Sequence, residues 1–95
     1  MVNVNVFAMQ LLEFVEDSVK QAIFDEPSRQ TLLIEADCAM VVLDRMVKRR
    51  APELYPFVSF FTDYNLPQLA QEPSPTPKLV DALNEILKAR KVFGP

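Results

Sequence analysis

Between Ser28 and Arg50 the hydrophobic positions fall on two faces of a single helix. At about 100° per residue, Leu32, Leu33, Ala36, Ala39, Met40, Leu43, Met46 and Val47 share one arc roughly 140° wide, and no charged residue between Leu32 and Val47 intrudes on it. Across the helix runs a narrower stripe, Ile34, Cys38, Val41 and Val42, bordered by Glu35, Asp37 and Asp44. A helix with two apolar faces needs two partners. The rest of the chain can cover the wide arc, which leaves the narrow stripe as the expected contact with a second copy. Helical throughout, this stretch would be about 35 Å long, enough to form the central rod of a domain this size.

The flanking segments supply the cover. A first helix is expected over 6–24, where Ala8, Leu12, Val15, Val19 and Ala22 or Ile23 recur at spacings of three and four. Phe7, Leu11 and Phe14 widen this packing face at its amino end. Gln10, Glu13, Asp17 and Lys20 form the wet side, and carboxylate pairs such as Glu13 with Glu16 or Asp17 are read as solvated surface. Pro27 disfavours helical geometry at Glu26 and suits the first turn of the next helix, expected over 28–50. So short a connection makes the two helices an antiparallel hairpin. Pro52 ends the second helix.

Over 53–64 the pattern Leu54, Phe57 or Val58, Phe61 and Tyr64 predicts a short aromatic helix plugging the open end of the hairpin. Alternating Pro73, Pro75 and Pro77 make 65–77 an extended linker, with Thr76 as cap and Pro77 as first position of a third helix over 77–93. Leu79, Val80, Leu83, Ile86 and Leu87 are its apolar side, and Gly94 stops it. The linker would let this helix dock on its own hairpin or across a dimer. The fold class is all-α: one helical domain spanning 1–95, expected to pair as an antiparallel homodimer.

Composition sharpens this picture. A chain of 95 residues buries a small share of its surface, so association is a natural source of stability. A net charge of −3 argues against a uniformly basic coat for nucleic acid. With no histidine, one cysteine and one glycine, the chain offers few means of nucleophilic or metal chemistry, and no catalytic residue, metal or cofactor is expected. Cys38, inside an apolar stripe, reads as a buried structural thiol. The start Met1-Val-Asn-Val-Asn-Val-Phe lacks a cationic leader, and no apolar run is long enough to span a bilayer. An intracellular, cytoplasmic protein without a membrane partner is the expectation.

One cluster exceeds what structure alone requires. Arg45, Lys48, Arg49 and Arg50 complement the helix dipole, and Lys48 can pair with Asp44, yet four cations within six residues are more than capping needs. Doubled in a dimer, they would offer two basic patches to a nucleic-acid duplex. Here a resemblance enters. The order of a hairpin whose second helix ends in Arg45-Met46-Val47, then Pro56-Phe57-Val58-Ser59-Phe60-Phe61, then a proline-led amphipathic helix Pro77-Lys-Leu-Val-Asp-Ala-Leu resembles the small RNA-silencing suppressor of insect nodaviruses. That family is an antiparallel helical dimer, encoded in an overlapping frame, that binds double-stranded RNA without sequence preference. The resemblance implies RNA contact at Arg45, and by extension at Lys48 and Arg49, in the host cytoplasm. Glu35 and Asp37 depart from it, standing where a phosphate-binding face should be basic. Two expectations result: a non-enzymatic dimerisation module that binds protein, and a dimer that binds double-stranded RNA.

Overall fold

Asn3 starts the first helix by accepting the Asn5 and Val6 amides on its side-chain oxygen, at 3.0 and 3.3 Å. The structure is a computed structural model that describes residues 3–94. Helix α1 spans Val4–Phe24 and α2 spans Arg29–Arg50. Arg29 joins them: its Nε donates to the Ala22 carbonyl at 2.7 Å and its Nη2 to the Ile23 carbonyl at 3.2 Å, so the first residue of α2 satisfies the orphan carbonyls ending α1. Asp25 accepts the Ser28 amide at 3.3 Å and closes the turn. Described residues are helical or irregular, with no strand among them, and none of the helices is long and apolar enough to cross a membrane.

The seam of the hairpin is built from Ala8, Leu12, Val15, Val19 and Ala22 of α1 against Leu33, Ala36, Ala39, Met40, Leu43 and Val47 of α2, all buried. Phe7 and Phe14 do not widen that seam. Both are exposed, because they lie on the far edge of the α1 stripe, past the line of contact with α2.

The segment after α2 differs from a single aromatic helix over 53–64. Pro56 interrupts the ladder, and two 3₁₀ turns, Pro52–Phe57 and Ser59–Asp63, take its place. Val58 is the fully buried residue of this region, with Leu54, Tyr55, Phe60 and Tyr64 packed around it. Phe57 faces out, and the side chains of Phe61 and Thr62 lie outside the described residues, as do residues 1, 2 and 95.

Residues 65–77 are not an extended linker. Asn65 caps a one-turn helix, α3 (Leu66–Leu69), whose two leucines are buried against α2, and the chain then turns tightly through the Gln71 and Glu72 amide bonds. Helix α4 spans Thr76–Phe93. Its N-cap position is Pro75, itself buried, so Thr76 is the first helical residue and its side chain makes no capping bond.

Helix α4 docks on α1 of its own chain. Its buried positions are Leu79, Ala82, Ile86, Ala89 and Phe93, spaced three and four apart. Val80 and Leu87 are exposed instead, since two alanines at the contact let the helix backbones approach closely and rotate the larger side chains outward.

This docking buries a carboxylate. Glu16, expected on the wet face, is only 6% exposed because α4 covers it. Arg90 Nη1 donates to its Oε1, Lys20 Nζ lies 3.1 Å from its Oε2, and Arg90 also reaches Glu13 at 3.4 Å. Burial alone would raise the Glu16 pKa. The hydrogen bonds and charges of Arg90 and Lys20 outweigh it and hold the carboxyl below its ordinary range. A carboxylate with a depressed folded pKa stabilises above its unfolded pKa, and that stabilisation is lost as pH falls through the folded value. Melting temperature should therefore decline below the ordinary carboxylate range. Glu16→Gln should cost about 1 to 3 kcal/mol at neutral pH and shallow the acid decline, as thermal melts across a pH series would show. An unaltered acid profile would mean that the α1 to α4 contact does not depend on this ion pair.

Candidate interaction surface

With α4 on one side of the hairpin and α3 and the 3₁₀ turns on another, one long side of the α1 and α2 pair has no cover among the described residues. Its α1 edge is Val4, Phe7, Leu11 and Phe14, spaced three and four apart, the repeat of a second helix-packing seam. Its α2 edge is Ile34, Cys38 and Val42. Between them lies a shallow groove of about 470 Å³ lined by Leu11, Phe14, Ile34, Glu35, Cys38, Ala39 and Val42. Val4, Phe7, Met46 and Arg50 line a second depression near the amino end of α1.

Phe14 is 45% exposed, Ile34 44% and Val42 48%, a concentration of large apolar side chains on one face that scattered surface hydrophobics do not explain. Cys38 is exposed, not buried, because the stripe it occupies points away from the seam. Of the four α2 residues read from sequence as a dimer contact, Ile34, Cys38 and Val42 line the groove, whereas Val41 is exposed one step round the helix. Phe7, Leu11 and Phe14 complete the surface from α1. Their place is the outer face and not the inner seam that hydrophobicity alone suggests, and their spacing of three and four is the mark of a second seam.

The basic cluster sits at the carboxyl end of α2 and is exposed. Lys48 is engaged: its Nζ lies 3.6 Å from Asp44 Oδ2 and 4.8 Å from the Tyr55 ring centroid. Contact with Tyr55 first, and the Asp44 charge after it, raise its pKa. Arg45, Arg49 and Arg50 differ. Lys20, Arg29, Lys78, Lys88 and Arg90 all have carboxylate or carbonyl partners, but among the described residues these three arginines, like Lys91 at the end of α4, make no ion pair or side-chain hydrogen bond.

No three histidine, cysteine, aspartate or glutamate side chains converge to hold a metal ion among the described residues. Comparison with family models, curated proteins and solved structures finds no match to the chain.

Proposed function

We propose that this protein is a self-associating helical module in which the groove between α1 and α2 receives a second copy. The observation that carries the reading is the continuity of the apolar face: two adjacent helices each carry a second stripe, and both stripes open on the same side of the hairpin. Leaving such a face in water forgoes roughly 25 cal/mol for each Å² of apolar surface that pairing would bury. Cys38 lies in the groove and reports on its occupancy. Maleimide labelling of Cys38 should slow about tenfold once some nine in ten chains are paired, compared with dilute protein. Labelling at a concentration-independent rate would count against the groove as the contact.

A second reading is favoured by the three unpaired arginines. Arg45, Arg49 and Arg50, with Lys48 beside them, form a basic surface able to contact the phosphates of double-stranded RNA, in keeping with the resemblance to the nodaviral suppressors. Changing Arg45, Lys48 and Arg49 together to Ala removes exposed groups, so helicity should persist. On this reading duplex RNA affinity falls sharply, and the slope of log K against log salt flattens by about one unit per lost phosphate contact. Absence of duplex binding by the parent protein at low salt would remove it.

A further inference from the structure

We propose that Thr76 is a phosphorylation site, modified by a proline-directed protein kinase with a nucleoside triphosphate as donor, and that the phosphate fastens the start of α4. Neither self-association nor RNA contact is needed for it. Two adjacent acceptor dipeptides, Ser74-Pro75 and Thr76-Pro77, precede the body of the helix, and the fold treats them differently.

Both hydroxyl side chains are exposed, but only one of the two prolines is. Pro75 is buried and its carbonyl accepts the Leu79 amide at 3.0 Å, so the ring that follows Ser74 is held against the protein. Pro77 lies on the outside of the first turn of α4. A kinase that selects for proline must touch the ring next to the acceptor and take the acceptor in an extended form. Pro77 itself disfavours helical geometry at Thr76. Thr76 is also the first residue of its helix, and among the described residues neither its amide nor its hydroxyl makes a hydrogen bond. Local opening of so weakly held an end is cheap. Presenting Ser74 requires lifting Pro75 out of its buried place.

The first turn of α4 is short of negative charge. It holds no acidic residue and no side-chain cap, and its charged side chain is Lys78, the wrong sign for the positive end of a helix dipole. Unmodified, α4 begins without the kind of cap that Asn3 gives α1. The amides of Thr76 and Lys78 are open, since Pro77 has none and Leu79 bonds to Pro75. Lys78 pairs with Glu72 at 3.0 Å, outside the helix. Phosphothreonine brings a charge of about −2 and three acceptor oxygens to this turn, where open amides and Lys78 can donate to it.

In the transfer, Thr76 Oγ1 attacks the γ-phosphorus, the bond from that phosphorus to the bridging oxygen breaks, and the hydroxyl proton passes to the kinase's catalytic aspartate. The nucleoside diphosphate leaves. Thr76 lines neither depression of the interaction surface, so modification and self-association are read separately.

The test incubates the full-length protein with a purified cyclin-dependent kinase and magnesium ATP, maps the acceptor by tandem mass spectrometry, and follows melting by circular dichroism. Thr76 should be modified about tenfold or more faster than Ser74, whose proline must first be exposed by local opening. Thr76→Ala and Pro77→Ala should each remove most of the incorporation, whereas Ser74→Ala should leave it. The phosphorylated chain should melt several degrees above the parent. Ser74 as the main acceptor, or no incorporation at all, overturns the site. Incorporation that survives Pro77→Ala overturns its recognition through proline, and a melting temperature unchanged or lowered by the phosphate overturns the role given to it. Should a variant lose its helicity, mapping on the parent still decides between Thr76 and Ser74.

Discussion

Leu43→Asp is expected to leave the chain unfolded. Leu43 is fully buried at the middle of α2, in the seam with α1 that forms the largest helix contact of the molecule. Removing a buried leucine side chain costs about 2 to 5 kcal/mol, and an unpaired carboxylate at the same place adds several more. A domain of this size has a total stability of about 5 to 15 kcal/mol. The substitution uses up most of that margin, and no neighbouring cation in the seam can offset the charge. Far-UV circular dichroism should show a largely disordered chain without a cooperative melt. Retained helicity with a sharp transition would mean that the seam tolerates charge and is not the core.

Val42→Asp is expected to give the opposite result, a chain that folds but no longer associates. Its position is one residue from Leu43 in sequence and about 100° away on the helix, 48% exposed and beside the groove. In the single chain the new carboxylate remains hydrated, so helicity and melting should change little. In a two-fold contact it appears twice, and each copy must be desolvated. A few kcal/mol in total corresponds to a dissociation constant raised at least about 100-fold. Val80→Asp is the control, an equally apolar and 40% exposed position on the outer side of α4 that should affect neither fold nor mass. Unfolding of the Val42 variant would show that the stripe belongs to the core, and an unchanged mass would remove the groove from the interface.

The parts of this fold that were legible in the sequence are those decided by side-chain period. Ala8, Leu12, Val15, Val19 and Ala22 declare the inner face of α1, and the wide arc of α2 declares its complement, since a helix exposes its neighbours at fixed intervals. What was not legible depends on pairs distant in sequence. Glu16 reads as surface because its partner Arg90 stands 74 residues away on a helix whose docking site the pattern does not reveal.

The face that α4 buries is hidden from its hydrophobic pattern for a related reason. Hydrophobicity favours Val80 and Leu87, whereas close packing favours the smaller Ala82 and Ala89, and the approach of two backbones is a tertiary property. The prolines of 65–77 suggested extension, but Leu66 and Leu69 bury against α2 and hold the segment down. Phe7 and Phe14 lie at the edge of the α1 stripe, where period alone does not say whether an edge turns inward or outward. Their exposure is what joins them to Ile34, Cys38 and Val42 in one surface.

Sedimentation equilibrium of the unmodified chain over a wide concentration range tests self-association most directly. The groove reading predicts a reversible rise from the monomer mass of 10.8 kDa to twice that value, with one dissociation constant describing all concentrations. A mass of 10.8 kDa that persists to the highest concentration reached would contradict it.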